Sequence, residues 1–320
     1  MNHYQTEILS SYSQLLQVVN LKCSRCKKDA IYFQRQSGQY YCGEHFNSYF
    51  VKKFMRIIRE DQLIKKNEKV AVAVSGGKDS LTLAYLLKKL QARYPFQMEA
   101  IIVDEGISGY RAHTLDAAKS QLEKLEIEYH IESFKDNFGK TLDSFVENNK
   151  ENACSTCGIL RRYILNKKAR ELSCTKLATG HNLDDEDQSV IMNLMRGDVI
   201  RFSRGQNYYK KISDKFVERI KPLRYFLEKE IVIFALNNKL TFDSSECPYA
   251  EYAMRGEVGK FLDRMEELRP TTKYSLLSGY DKVLPALNQF FIPDSIGVCE
   301  VCGEPTMDGT CMRCKILEKE

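Results

Sequence analysis

Eleven cysteines stand in this chain of 320 residues, and their spacing divides them. Cys23, Cys26, Cys42 and His45 read CxxC, fifteen residues, CxxH; Cys299, Cys302, Cys311 and Cys314 read CxxC, eight residues, CxxC. Each set supplies four soft or borderline ligands with no open position, which is the pattern of a structural zinc site. In small peptides such a metal contributes about 10 to 16 kcal/mol of folding free energy, enough to order a module lacking a core of its own. Cys154, Cys157, Cys174 and Cys247 remain. Cys174, in LSCTKLA, reads as the start of a buried strand, and buried free cysteine is common.

The other three thiols leave several chemistries open. A lone CxxC at 154 and 157 serves as half a zinc site, a redox pair or two ligands of an iron-sulfur cluster. With Cys247, three cysteines on loops suit a 4Fe-4S cluster with one iron left open to bind sulfur. The competing arrangement uses Cys154 or Cys157 with Cys247 as a persulfide and disulfide-forming pair. Both transfer sulfur.

A second chemistry is written in Ser75, Gly76, Gly77, Lys78, Asp79 and Ser80. Two glycines let backbone amides approach an anion, a following helix adds its positive dipole end, and Lys78 adds a charge. The order GGKDS fits neither a Walker A loop nor a GxGxxG fingerprint. A third constellation runs from Gly180 and His181 to Asp184, Asp185 and Glu186. Carboxylates at a helix start are ordinarily caps. At the C-terminal end of a parallel strand they also meet the needs of a Mg2+-ATP complex.

These groups need a frame. KVAVAV (69–74), EAIIVD (99–104), IEYHI (127–131) and KLATGH (176–181) read as strands, with helix-length stretches at 80–92, 113–125 and 159–172 between them. Such alternation predicts an α/β fold, a parallel sheet with helices on both faces, whose ligands sit beyond the C-terminal strand ends. A connecting helix is expected at 50–63, with further helices at 228–239 and 259–268. After Pro270 the sequence reads as loosening toward the last cysteines. The expected organisation is an N-terminal zinc module (1–50), a linker helix (51–67), a catalytic domain (68–268) and a C-terminal zinc module (269–320).

Composition bounds the partners. Hydrophobic residues at 43% and charged residues at 28% place the chain among globular proteins. No apolar run approaches the roughly 20 residues of a membrane span, and the N-terminal segment lacks the pattern of a secretory signal. A cytoplasmic protein with reduced thiols is expected, so paired cysteines point to metals or catalysis before disulfides. A net charge of +5 permits a polyanionic partner without requiring one.

The hexapeptide SGGKDS resembles the PP-loop of ATP pyrophosphatases, an adenine nucleotide alpha hydrolase-like fold in which the loop holds the pyrophosphate end of ATP. Taken with DEGISGYR (104–111), CSTCGILRRY (154–163), ATGHNLDDE (178–186), MNLMRGD (192–198) and ECPYA (246–250), the chain resembles tRNA 2-thiouridine synthetases of the TtuA and NcsA type. That resemblance implies adenylation of a uridine C2 oxygen and its replacement by sulfur. It matches Cys154, Cys157 and Cys247 to the cluster ligands, Asp184 and Asp185 to the acidic pair, and SGGKDS with Asp104, Gly180 and His181 to the nucleotide site. Arg161 stands where some members have lysine; it keeps the charge but stays protonated, which suits an electrostatic role. GHNLDDE leans toward the branch acting on the T-loop uridine, DEGISGYR and MNLMRGD toward the anticodon wobble branch, and the wobble base is the expected target. The implied cofactors are ATP, Mg2+, a 4Fe-4S cluster and two Zn2+. The implied partner is tRNA; a ubiquitin-like thiocarboxylated carrier and free sulfide are the candidate sulfur donors, between which the sequence does not choose, and the long terminal modules suit a homodimer.

Arg201 to Arg219 interleaves Arg201, Arg204, Lys210, Lys211, Lys215 and Arg219 with Phe202, Tyr208 and Tyr209. Cations grip phosphates and aromatic rings stack unpaired bases, so this stretch is a candidate RNA platform; a solvated loop is the plainer alternative. Two other functions compete with thiolation. A PP-loop amide ligase would need an ammonia source, and a non-catalytic zinc-rich RNA-binding protein would leave SGGKDS and the central cysteines without a use.

Overall fold

A computed structural model describes residues 21–204, 213–291 and 296–318 of the chain. Its centre is a five-stranded parallel sheet of β3 (Lys69–Val74), β4 (Gln97–Asp104), β5 (Tyr129–Ser133), β6 (Lys176–Ala178) and β7 (Glu218–Ile220), in the order β5-β4-β3-β6-β7. Period-two alternation sends successive side chains of β3 to opposite faces. Val70, Val72 and Val74 enter one core with Ala100 and Ile102 of β4; Ala71 and Ala73 enter the other with Ile101 and Val103. Burial on both faces explains why these strands read as unbroken apolar runs.

Helices cover both layers. On one side lie α1 (Gly43–Glu60), α2 (Lys78–Gln91), α3 (Arg111–Lys124) and, later in the chain, α9 (Glu228–Asn237). Phe50 of α1 stacks on Phe234 of α9 at 4.3 Å and meets Phe226 at 4.4 Å. Each fully buried ring contributes about 1.5–3 kcal/mol by leaving water. The other side holds the short α4 (Phe134–Phe138) and α5 (Leu142–Phe145) and the long α6 (Ala153–Glu171). Beyond β6 come α7 (Leu183–Met195), the single-turn α8 (Val199–Phe202), α10 (Arg255–Leu268) and α11 (Thr272–Phe291).

The chain runs outward from β3 in both directions, so β3 and β6 flank the switch point where the connections diverge, and a crevice opens above it. Two cysteine modules bracket this body. The first holds the hairpin β1 (Tyr32–Gln34) and β2 (Gln39–Tyr41); the last holds β8 (Gly297–Val298), β9 (Pro305–Thr306) and α12 (Met312–Glu318).

Several local expectations are corrected. The connecting helix starts at Gly43, so His45 lies in its first turn and α1 runs unbroken through residue 50. Helix α6 starts at Ala153, which puts Cys154 and Cys157 inside its first turns instead of on a loop. The segment after Pro270 forms the 20-residue α11 despite Gly279 and Pro285. Lys273 and Leu277, one turn apart, bury against the body and hold it there. Residues 218–220 are an edge strand, so Arg219 belongs to β7 and not to a loop; Tyr208, Tyr209, Lys210 and Lys211 lie outside the described residues.

Candidate active site

Above the switch point lies a cleft of about 220 Å³ lined by Ser75, Asp79, Ser80, Glu105, Arg111, Arg161, Thr179, Gly180, His181 and Asp185, among others. The loop after β3 is built as a cradle. Gly76 has φ +96°, and a Cβ there would stand 2.0 Å from the Thr114 carbonyl oxygen, so both conformation and space require glycine. Ser80 Oγ accepts from the Ser75 amide at 3.1 Å and donates to the Gly77 carbonyl at 3.0 Å, closing the loop onto the start of α2. Gly180, after β6, fits as closely: a Cβ would lie 2.9 Å from the Ser80 nitrogen. The two strand-end loops therefore touch.

Lys78 pairs with Glu228 at 2.6 Å and Asp79 at 3.1 Å. Burial opposes its charge, but these carboxylates outweigh that and move its pKa up. Burial moves Asp79 up as well, with Lys78 opposing. Asn182 donates to Asp79 at 3.1 Å and caps α7 by accepting from the Asp185 amide at 3.0 Å. Asp185 faces the cleft; burial raises its pKa, and Arg255, 3.3 Å away, resists. Asp184 turns the other way. It accepts from the Glu228 amide at 2.7 Å and pairs with the buried Lys273. His181 opens onto the cleft. The surrounding protein, together with Lys221, pushes its pKa below the ordinary histidine range, so the ring is neutral at pH 7. Asp104 does not line the cleft; its Oδ1 accepts from the Gly106 amide at 2.9 Å and shapes the turn after β4.

Cys154, Cys157 and Cys247 lie within electrostatic reach of one another and of the cleft residues Glu105 and Arg161. Cys154 and Cys157, three residues apart on α6, share one face of the helix. Cys247 arrives on a loop whose start is tied to the glycine loop, since the Asp243 amide donates to the Gly76 carbonyl at 3.0 Å. Cys154 Sγ lies 3.7 Å from the Tyr249 carbonyl. Burial pushes the Cys157 thiol up to about 11, with Arg161 opposing and Glu105, Cys247 and Cys154 adding to the rise. Burial likewise raises Cys247, which feels Cys154, Glu105 and Arg161. These thiols are not drawn as close as those of the terminal sets, whose ligand atoms all lie within 4.8 Å of one another. A cubane gives each thiolate its own iron and so spreads its ligands wider than one zinc ion does; the donor set fits a 4Fe-4S cluster. Cys174 is apart from them, buried in the core before β6.

The terminal sets fit zinc. His45 Nδ1 lies 3.4 Å from Cys23 Sγ and 3.3 Å from Cys42 Sγ, with Cys26 and Cys42 sulfurs 3.7 Å apart. Cys302 and Cys311 sulfurs are 3.6 Å apart, and the backbone N–H of Cys311 helps pull Cys299 down to about 6, toward the thiolate a metal needs.

A model of the PP-loop domain matches residues 46–257, and a model described as the 2-thiouridine synthetase TtuA N-terminal LIM domain matches residues 22–47. The structure of the U34-tRNA thiolase NcsA from Methanococcus maripaludis, with its [4Fe-4S] cluster, is 39% identical with a TM-score of 0.81, covering 94% of this chain and 97% of that one. The chain belongs to the PP-loop family of tRNA 2-thiolation proteins. Within this family, the tRNA 2-thiolation protein NcsA of Haloferax volcanii is 33% identical over 93% of this chain and 98% of its own length. The cytoplasmic tRNA 2-thiolation protein 1 of Chlamydomonas reinhardtii is 36% identical over 92% and 84%. Among the described residues no helix is long and apolar enough to cross a membrane.

Sequence reasoning passed over Glu105, Arg111, Thr179 and Glu228. Glu105 and Arg111 were visible inside DEGISGYR, at the C-terminal end of a strand where parallel sheets place ligands. Glu228 carried no such signal, because only the fold brings α9 to Lys78.

Proposed function

We propose that this protein is an ATP-dependent tRNA thiolase that replaces the C2 oxygen of the anticodon wobble uridine with sulfur. The observation that carries the reading is the direct join between nucleotide loop and thiols: Asp243, four residues before Cys247, is hydrogen-bonded to Gly76. One uridine can then meet both centres. The U34 specificity of the Methanococcus relative supports the wobble base over the T-loop uridine.

In this reading the amides of the glycine loop, the α2 N-terminus and Lys78 hold the ATP phosphates. Asp79 and Asp185 face the cleft and would take the accompanying Mg2+. The uridine O2 attacks the α-phosphorus and pyrophosphate leaves; sulfur then attacks C2 and AMP leaves. Arg161 stays protonated and stabilises negative charge developing on the departing oxygen. Cys154, Cys157 and Cys247 would hold a 4Fe-4S cluster, whose fourth iron, free of protein ligand, supplies a place to bind sulfide. The sulfur comes from a thiocarboxylated ubiquitin-like carrier or from free sulfide. The two terminal modules would each hold one Zn2+.

The test is an anaerobic reaction of cluster-loaded protein with ATP, sulfide and tRNA transcripts, followed by nucleoside mass spectrometry and position mapping. Expected are 2-thiouridine at position 34 and one AMP per sulfur inserted. Thiolation elsewhere in the tRNA, or full activity from colourless, iron-free protein, would overturn the target base or the cluster in turn.

A further inference from the structure

Glu105 follows directly on β4 and is 5% exposed, yet it lines the cleft. Its two carboxylate oxygens serve two arginines. Oε2 lies 2.8 Å from Arg111 Nε, and Oε1 lies 3.4 Å from an Arg161 terminal nitrogen. Arg111 in turn donates to the Ser75 carbonyl at 2.7 Å, to Thr114 Oγ1 at 2.8 Å and to the Val103 carbonyl. Arg161 stands one helical turn after Cys157 on α6. A single buried carboxylate therefore connects the first residue of the nucleotide loop to the helix that carries two of the three thiols.

The two arginines differ in how firmly they are held. Arg111 is buried and has four partners. The Arg161 side chain is 46% exposed at the rim, and Glu105 is its ion-pair partner. Without that carboxylate, a long side chain at the mouth of the cleft would regain its rotamers and lose its fixed place beside the thiols.

We infer that Glu105 is a positioning residue for thiolation, which fixes the Arg161 guanidinium between nucleotide and thiols and orients it against the frame set by Arg111. The inference rests on the thiolation reading. Its carboxylate also acts electrostatically on Cys157 and Cys247, so it would disfavour the addition of an electron to a cluster held by them.

The experiment compares Glu105→Gln and Glu105→Asp in cluster-loaded protein of verified iron content. Wild type is assayed first; a wild type that forms no 2-thiouridine overturns the thiolation reading itself, before any variant is read. Glutamine keeps the shape but cannot ion-pair with two guanidinium groups. Expected are a kcat for thiolation lowered about 30-fold, a KM for ATP within about threefold of wild type because Arg111 keeps its backbone bonds, and partial recovery of kcat in Glu105→Asp. The cluster's midpoint potential should rise in Glu105→Gln and stay near wild type in Glu105→Asp. Arg161→Gln alone and with Glu105→Gln should give the same kcat, since one acts through the other. Losses that multiply in the double variant, a wild-type kcat or an unmoved potential in Glu105→Gln, or equal losses in Gln and Asp variants with a raised KM would overturn it. If Glu105→Gln does not load iron, ATP affinity of the iron-free variant decides: a value within threefold of wild type upholds the split between nucleotide binding and thiol geometry, and a large loss overturns it.

Discussion

The hydroxyl of Tyr249 donates a 2.8 Å hydrogen bond to Asp143 Oδ1, joining positions 106 residues apart. Asp143 Oδ2 also accepts from the Ser108 amide at 2.9 Å, so the bond anchors the Cys247 loop to the turn that follows Glu105. Burial, followed by Asp143, pushes the Tyr249 phenol up to about 12, which keeps it protonated as a donor. Tyr249→Phe keeps the ring and deletes the donor. A hydrogen bond to a charged group is worth about 1.5–3 kcal/mol. We expect iron release to a chelator to accelerate about tenfold, with far-UV circular dichroism unchanged. Release at the wild-type rate would mean that the loop is held by other contacts.

Asp184 and Asp185 are adjacent in sequence and opposite in use. Asp185 faces the cleft, whereas Asp184 caps α9 and neutralises the buried Lys273. Breaking a buried pair from one side typically costs about 3–5 kcal/mol; Lys273 keeps the partly exposed Asp263 as a second partner, so Asp184→Asn should cost about 3 kcal/mol. Asp185→Asn, whose amide oxygen can still accept from the Asn182 amide, should change the unfolding free energy by no more than about 1 kcal/mol while lowering the rate of AMP formation more than about 100-fold. Urea titration and a pyrophosphate-release assay on the two variants separate the roles; equal effects on both readouts would count against the division.

Much of this arrangement was legible because it is local. The alternation of KVAVAV, the glycines of SGGKDS and the ligand spacings at both ends each state their geometry within a few residues. What escaped depends on distant partners. Helix α11 carries Gly279 and Pro285 and looks broken on propensity, yet Lys273 with Asp184 and Asp281 with Arg224 pin it down. The three-residue strand β7 is too short to show a period, and Val217 and Ile220 reveal it only by burial. The opposite orientations of Asp184 and Asp185 are a matter of helical angle and of what packs against α7, which no dipeptide records.

Asp187 offers a test by pH. It is fully buried on α7, and neither carboxylate oxygen has a hydrogen-bond partner. Burial, and next the charge of Asp184, push its pKa up to about 8. The folded protein thus keeps a proton that the unfolded chain gives up near pH 4. Native protein binds more protons than unfolded across that interval, so this residue's contribution to stability is greatest below about pH 4 and is lost as pH rises toward 8. Asp187→Asn removes the titration. Unfolding free energy followed from about pH 5, roughly one unit above the unfolded value, to about pH 8, at the folded one, should fall less steeply in the variant, by a few kcal/mol over the range. Parallel curves would show that Asp187 is ionised throughout.

The C-terminal module sits on the same helix as two of the central cysteines. Arg170 of α6 grips Glu304 with both terminal nitrogens, and Arg313 lies over the Tyr163 ring at 4.4 Å. Folding of the module and its docking are separable, because the first depends on four thiols and the second on these side chains. Cys302→Ser should leave one zinc per chain against the two expected in wild type, with the N-terminal site intact, since three remaining thiolates cannot close the tetrahedron. Glu304→Ala should keep both zinc ions yet weaken docking by about 1 kcal/mol, as expected for a partly exposed ion pair. Metal analysis reads the first effect and hydrogen exchange at Tyr163 and Arg170 reads the second. Loss of zinc in Glu304→Ala would show that docking and metal binding are one cooperative event, and protection unchanged in both variants would show that the module contributes nothing to the order of α6.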